Sequence, residues 1–360
     1  MSSILRLARS EVLQMKAYES ARSLTQAMPG ERPLIFLDAN ESPESPISLS
    51  HANRYPEPQP KVLVDRFCEL YGVKPKEVVV GRGSDEAIDL IVRVFCRAGV
   101  DQILICPPTY GMYEISAEIQ GAGITRVPMV LGREQSYLDE EAIRRNLGKG
   151  VKVIFICSPN NPTGTVFSRE SLKRICKSAE DQAIVVVDEA YGEFSKDESM
   201  ISELKNFPNL IVLRTLSKAW AVAGLRCGVA LAQEPLISLL QKVRAPYPIP
   251  LPVIEQVLEA TDSNHFARLQ ERLAGVASER GRLVAELSRL PQVKWIYPSG
   301  TNFILACFHR PAEILNAVKE EGLVLRDRSQ VQGLEGCIRI TLGTETQNNQ
   351  VLDAIRKVKV

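Results

Sequence analysis

Histidine is scarce in this chain: His51, His265 and His309 are the only three among 360 residues. None lies near another or near a cysteine, so a histidine-based metal centre and a Ser-His-Asp triad both lack their raw material. An excess of either charge is also missing. Lys and Arg number 44 against 43 Asp and Glu, a net charge of +1. No global field therefore draws the protein to nucleic acid or to an anionic membrane, and any basic site is local. Long apolar runs are absent too, which excludes a helical membrane span. Residues Met1 to Met15 mix Arg6, Arg9 and Glu11 with Ile4, Leu5, Leu7, Val12 and Leu13. That is an amphipathic pattern, not the continuous apolar core of a signal peptide, and the expected location is the cytoplasm. The eight cysteines are scattered, mostly within apolar runs, with no C-x-x-C pair. They read as buried, reduced thiols rather than a disulfide frame.

What is present is a strand–helix rhythm. After a Pro-, Ser- and Asn-rich stretch from about Glu31 to Pro60, short apolar runs recur. These are Val78–Val80, Ile103–Cys106, Val127–Val130, Val151–Cys157, Ile184–Val187, Leu210–Leu213 and Gly228–Leu231. Several are apolar at successive positions, as expected of strands covered on both faces. Helical stripes such as Asp85–Arg97 and Arg169–Glu180 lie between them. The pattern predicts an α/β fold with a mostly parallel, doubly wound sheet, whose ligands sit at the carboxyl ends of the strands. The Pro-rich segment Ala245–Pro252 breaks the rhythm. A long helical pattern to about Leu290 follows, then strand candidates Val293–Tyr297, Asn302–Phe308, Leu323–Leu325 and Ile338–Leu342, suggesting a smaller α+β domain. The expected division is an arm over 1–45 packing with the small domain, a large domain over 46–245 and the small domain over 246–360.

The residues that carry chemistry follow the strands. Lys218 comes just after the run Leu210–Leu213, in Thr215-Leu216-Ser217-Lys218. Flanked by Ala219, Trp220 and Ala221, its amine can be partly desolvated, which lowers its pKa and makes it a usable nucleophile. Arg226 lies close by in sequence, and with the hydroxyls of Thr215 and Ser217 it forms a plausible clamp for a dianion. Gly81-Arg82-Gly83-Ser84-Asp85 opens a helix, and glycines there let backbone N–H groups approach a phosphate. The segment has neither the spacing of a dinucleotide fold nor the lysine of a P-loop. Asp188 ends the run before it, so its carboxylate must find a partner: a helix cap, an ion pair or a cationic ring nitrogen of a ligand. Glu189, next in the chain, points the other way if extended geometry continues. Ser158-Pro159-Asn160-Asn161-Pro162-Thr163-Gly164 and Pro107-Pro108-Thr109-Tyr110-Gly111 are two more loops at strand ends. Each loop alone has an ordinary structural explanation; together they converge on one edge.

Taken in order, these motifs resemble the fold-type-I aminotransferases, and within them the histidinol-phosphate aminotransferase branch. The likeness runs from Ala17-Tyr18-Glu19-Ser20-Ala21-Arg22 to Arg339-Ile340-Thr341-Leu342-Gly343. Asn53-Arg54-Tyr55-Pro56 and Leu325-Arg326-Asp327 narrow it to this branch. The resemblance implies pyridoxal 5'-phosphate as cofactor, held covalently by Lys218, with no metal. It implies that Asp188 pairs with the ring nitrogen, that Asn161 and Tyr191 bond the ring's phenolic oxygen, and that Tyr110 stacks on the ring. Ser84, Asp85, Thr215, Ser217 and Arg226 would hold the cofactor phosphate. Tyr55 would reach it from a neighbouring subunit, making a homodimer with composite sites. Arg339 would bind the substrate carboxylate, with Arg326 and Tyr18 joining it on the substrate phosphate and Asn40 nearby. Asp38 and Trp220 depart from the family's asparagine and phenylalanine.

The expected reaction is transfer of the amino group of L-histidinol phosphate to 2-oxoglutarate, giving imidazole acetol phosphate and L-glutamate, a step of histidine biosynthesis. An aromatic amino acid aminotransferase or a threonine-phosphate decarboxylase of the same branch is the alternative. A ligand-binding regulator is disfavoured, because the pattern leaves no room for a DNA-binding domain and offers no basic face.

Overall fold

The computed structural model describes residues 3–18, 36–195 and 199–359. The large sheet is built from β1 (Val78–Gly81), β2 (Gln102–Ile105), β3 (Gly123–Arg126), β4 (Val151–Cys157), β5 (Ile184–Asp188), β6 (Leu210–Thr215) and β7 (Gly228–Ala232). Their spatial order is β1-β7-β6-β5-β4-β2-β3. Only β7 runs against its neighbours, being antiparallel to both β1 and β6. The unbroken apolar runs have a reason. Val185 and Val187 enter one core while Ile184 and Val186 enter a second on the opposite face. Alternating side chains thus supply two cores, and both must be apolar.

Helices α1 (Ser10–Gln14), α2 (Lys61–Tyr71), α3 (Ser84–Phe95), α4 (Met112–Gln120), α5 (Glu140–Asn146), α6 (Arg169–Ala179) and α7 (Glu234–Val243) cover these faces. Two of them start on side-chain caps: Asp139 accepts from the Ala142 N–H, and Ser168 from that of Ser171. Beyond them lie α8 (Leu251–Ala260) and the 26-residue α9 (Ser263–Ser288). The small sheet, entirely antiparallel, comprises β8 (Val293–Ile296), β9 (Phe303–Phe308), β10 (Arg326–Asp327) and β11 (Cys337–Thr341), in the order β10-β11-β9-β8. Helices α10 (Pro311–Glu320) and α11 (Glu345–Arg356) pack on it through Ile314, Val318, Leu352 and Ile355. No helix of the described residues is long and apolar enough to cross a membrane.

Four expectations need correction. Ile4, Leu7, Ala8 and Val12 enter the large-domain core shared with α3 and α7, not the small domain. The Lys242 ammonium donates to the Leu13 carbonyl at 3.0 Å, fastening the arm there. The domain boundary is not at residue 246. Ile254 and Val257 of α8 and Leu269 of α9 still belong to the large core, whereas Leu283 and Leu287 belong to the small one. The division falls inside α9. The regular strand is Gly123–Arg126, earlier than the run Val127–Val130. That run continues beside β2 in irregular form: the Val127 and Met129 N–H groups donate to the Ile105 and Pro107 carbonyls, and Val130 bridges Tyr137. Likewise Leu323 and Leu325 pack on the small core from a loop, and the pairing starts at Arg326.

Candidate active site

The carboxyl ends of β4, β5 and β6 lie side by side, with Cys157 opposite Asp188 and Asp188 opposite Leu213 in register. A cavity of about 390 Å³ opens beyond them. The sheet edge supplies one wall, the start of α3 and Tyr110 another, and the small domain contributes Arg326, Arg328 and Arg339. Of the residues expected to hold cofactor or substrate, Tyr18, Asn40 and Tyr55 do not line it; the others do.

Asp188 is 2% exposed. Its Oδ2 accepts from the Tyr113 hydroxyl at 2.8 Å and its Oδ1 from the Ala190 N–H at 3.1 Å. Burial raises its pKa to about 6, with those two hydrogen bonds opposing. It forms no ion pair among the described residues, so a ligand cation is the partner its environment leaves room for. Glu189 does turn the other way. It accepts from the Met200 N–H at 2.7 Å and pairs with Arg214 at 2.8 Å.

The opposite character is found at the start of α3, which has no side-chain cap. Its first N–H groups, at Ser84 and Asp85, adjoin the cavity, an arrangement suited to an anion. Arg226 sits beside them with φ 50°, in the left-handed region. It donates to Ser217 Oγ at 3.2 Å and pairs with Asp85 at 3.1 Å. The Thr215 and Ser217 hydroxyls are 3.0 Å apart. Two glycines permit this crowding. A Cβ on Gly83 would stand 2.9 Å from the Arg226 guanidinium, and one on Gly228 would stand 2.8 Å from the Ser84 nitrogen. Tyr110 donates to Asp85 at 3.0 Å.

Lys218 remains solvent-accessible as a residue, yet the protein packed around its ammonium, and then the Arg339 charge, lower its pKa. Its nitrogen lies 5.6 Å from the centroid of the Tyr191 ring. Burial pushes the Tyr191 phenol upward, so it stays a protonated donor. Tyr191 is braced edge-on by Phe303 at 5.3 Å. Arg339 donates to Asn161 Oδ1 at 2.5 Å, joining the small domain to the loop after β4. Trp220 points away, into the core beside Phe266, and does not shape the cavity.

Tyr55 is half exposed and stacks on Tyr247, with centroids 4.6 Å apart. Tyr18 is exposed, and Asn40 takes a left-handed φ of 55°. Residues Glu19 to Arg22 of the proposed motif lie outside the described residues. Sequence reasoning missed Tyr113, Cys157 and Arg328. Tyr113 follows Tyr110 by three residues, a helical spacing that reads as core. Arg328 follows Arg326 by two, which in an extended strand means a shared face.

The match to known proteins agrees with this architecture. Residues 40–355 fit the model of aminotransferase class I and II, and the chain belongs to that family. It is 45% identical over 359 residues to histidinol-phosphate aminotransferase 1 of Pasteurella multocida, covering 99% of each chain. It is 42% identical to the histidinol-phosphate aminotransferase of Escherichia coli, with 98% of each covered. The fold is that of fold-type-I aminotransferases. The histidinol-phosphate aminotransferase of Sinorhizobium meliloti, solved with pyridoxal-5'-phosphate, superposes with a TM-score of 0.75 at 23% identity, over 84% of this chain and 82% of that one.

Proposed function

We propose that this protein is a pyridoxal 5'-phosphate-dependent histidinol-phosphate aminotransferase, passing the amino group of L-histidinol phosphate to 2-oxoglutarate. The observation that carries the reading is the pairing of opposites on one cavity. The buried Asp188 carboxylate calls for a cation, and the α3 N-terminus with Arg226 calls for a dianion. The cofactor carries both, and the lowered pKa of Lys218 supplies the amine that would hold it. The residues therefore fit the group. When bound, the cofactor supplies an electron sink for the substrate's α-carbon.

The protein's own residues do the rest. Asp188 would keep the ring nitrogen cationic, and Tyr113 would hold Asp188 in place and ionised. Ser84, Asp85, Thr215, Ser217 and Arg226 would anchor the phosphate, with Tyr110 against the ring. Asn161 and Tyr191 would donate to the ring's phenolic oxygen. Lys218 Nζ, being less basic than a free lysine, would carry a proton to and from the substrate's α-carbon. Arg339 would orient the carboxylate of glutamate or 2-oxoglutarate, and Arg326 and Tyr18 would join it on the phosphate of L-histidinol phosphate, with Asn40 close by. An arginine fork accepts either anion, which suits a site that takes two unlike substrates in turn.

Tyr55 lies outside this chain's own cavity, and Leu37, Ile47 and Val62, on either side of it in the sequence, are exposed. These features support a homodimer in which Tyr55 completes the neighbour's site. A biosynthetic enzyme with reduced cysteines suits the cytoplasm.

The test follows the visible absorption of cofactor-loaded protein as L-histidinol phosphate is added without a keto acid. Loss of the visible band is expected at low substrate, and Lys218→Ala is expected to abolish turnover. An unchanged band here, with a response to phenylalanine or CO₂ release from phosphothreonine, would move the protein to a neighbouring activity.

A further inference from the structure

Three guanidinium groups enter the cavity from the small domain, and only one of them has an evident task within the protein. Arg326 and Arg339 face each other across the β10–β11 pairing. Arg328 extends the same ladder, its N–H bonded to the Cys337 carbonyl at 2.9 Å. Its place is thus fixed by backbone pairing rather than by a free loop. Asp327, between the two arginines, does not neutralise them: it accepts from the Ser329 N–H at 2.8 Å and from the Ser329 hydroxyl at 2.6 Å. The cavity's other carboxylates are also engaged, Asp85 by Arg226 and Tyr110, Asp188 by Tyr113 and Ala190. The Nε atoms of Arg328 and Arg339 are buried without a hydrogen-bond partner. Burial, and then the neighbouring guanidinium groups, lower the pKa of Arg328. Like charges and unsatisfied donors gathered on one cavity wall are costly unless a ligand brings the matching anion.

We propose that Arg328 is a specificity-determining residue: together with Arg326 it grips the anionic end of the amino donor, so that dianionic substrates are accepted and uncharged ones of similar shape are refused. The inference rests on the aminotransferase reading and assigns its substrate selection. A phosphate group presents enough oxygens for two forks, and each fork's bonds are charge-assisted. An aromatic amino acid brings only its single carboxylate, for Arg339, and would leave Arg326 and Arg328 facing each other unneutralised.

The experiment compares wild type, Arg328→Gln and Arg328→Lys, all cofactor-loaded. It reads the L-histidinol phosphate concentration that half-converts the visible band, the steady-state KM and kcat, and inhibition by inorganic phosphate. Arg328→Gln is expected to raise the half-converting concentration and KM roughly tenfold or more, with a much smaller fall in kcat. Inhibition by phosphate should weaken in parallel, the preference should shift toward phenylalanine, and Arg328→Lys should recover part of the loss. If Arg328→Gln stays within about twofold of wild type for both histidinol phosphate and inorganic phosphate, the inference is wrong even though the activity stands. If wild type ignores histidinol phosphate but acts on phosphothreonine, the activity reading fails. The same variant-to-wild-type ratios, measured on phosphothreonine and inorganic phosphate, then decide the role of Arg328.

Discussion

Tyr113→Phe removes one hydroxyl from behind the proposed cofactor ring and leaves the packing in place. The ring is fully buried and stacks on Phe155 with centroids 4.7 Å apart, a contact phenylalanine keeps. What is lost is the bond to Asp188 Oδ2 at 2.8 Å. A hydrogen bond to a charged acceptor contributes about 1.5–3 kcal/mol, or roughly one to two pKa units. In the cofactor-free protein Asp188 titrates near 6 rather than 3.8, because burial disfavours its charge. The protonated form is therefore the one that favours folding, and that contribution is lost as pH rises through about 6. The variant's carboxyl would titrate higher still.

If cofactor capture needs the ionised carboxylate, affinity scales with its ionised fraction. The variant's deficit should then be roughly five- to fiftyfold at pH 6, roughly two- to tenfold at pH 7, and under about 1.5-fold at pH 8.5. Equilibrium titration of apoprotein with pyridoxal phosphate at each pH, taken as a ratio to wild type, measures this directly. The ratio cancels the cofactor's own ionisations. A deficit that does not change with pH would refute the reasoning and leave Tyr113 a packing residue.

Arg214→Leu should destabilise the protein by about 3–5 kcal/mol in denaturant unfolding, because Glu189 and Glu193 would be left buried without their cation. Gly228→Ala should weaken cofactor binding and cost about 1–3 kcal/mol of stability. Its methyl would meet the Ser84 nitrogen and the Arg214 carbonyl, both at 2.8 Å. A fully folded variant with unchanged cofactor affinity would show that the start of α3 can shift without consequence.

The sequence exposed most where one residue type has one use. Buried parallel strands must be apolar on both faces, so β4, β5 and β6 were legible, and with them the edge where Lys218, Asp188 and Asn161 lie. Partner choice was less legible. The stripe Ile4, Leu7 and Val12 announces a buried face but not which core receives it, and it went to α3 and α7. The Pro-rich segment Ala245–Pro252 suggests a domain boundary, while the change of core occurs within a helix, between Leu269 and Leu283. Tyr113 and Arg328 were hidden by the segments holding them. One reads as ordinary helix core; the other sits just past a two-residue strand too short to show a period. Tyr18, Asn40 and Tyr55 stand apart from this chain's cavity, and local sequence pattern does not fix how far a side chain lies from a site.

Helix α9 acts as a beam shared by two bodies. Leu269 is seated in one core and Leu283 in the other, about 21 Å further along at 1.5 Å per residue. Gly275 and Gly281 lie in this stretch, and a Cβ at either would meet nothing within 4 Å. A change in the angle between the bodies must therefore bend hydrogen-bonded helix, spread over several turns, rather than swing a loop. The arginines of the small domain are thus positioned relative to Lys218 through a continuous helix rather than through a loop.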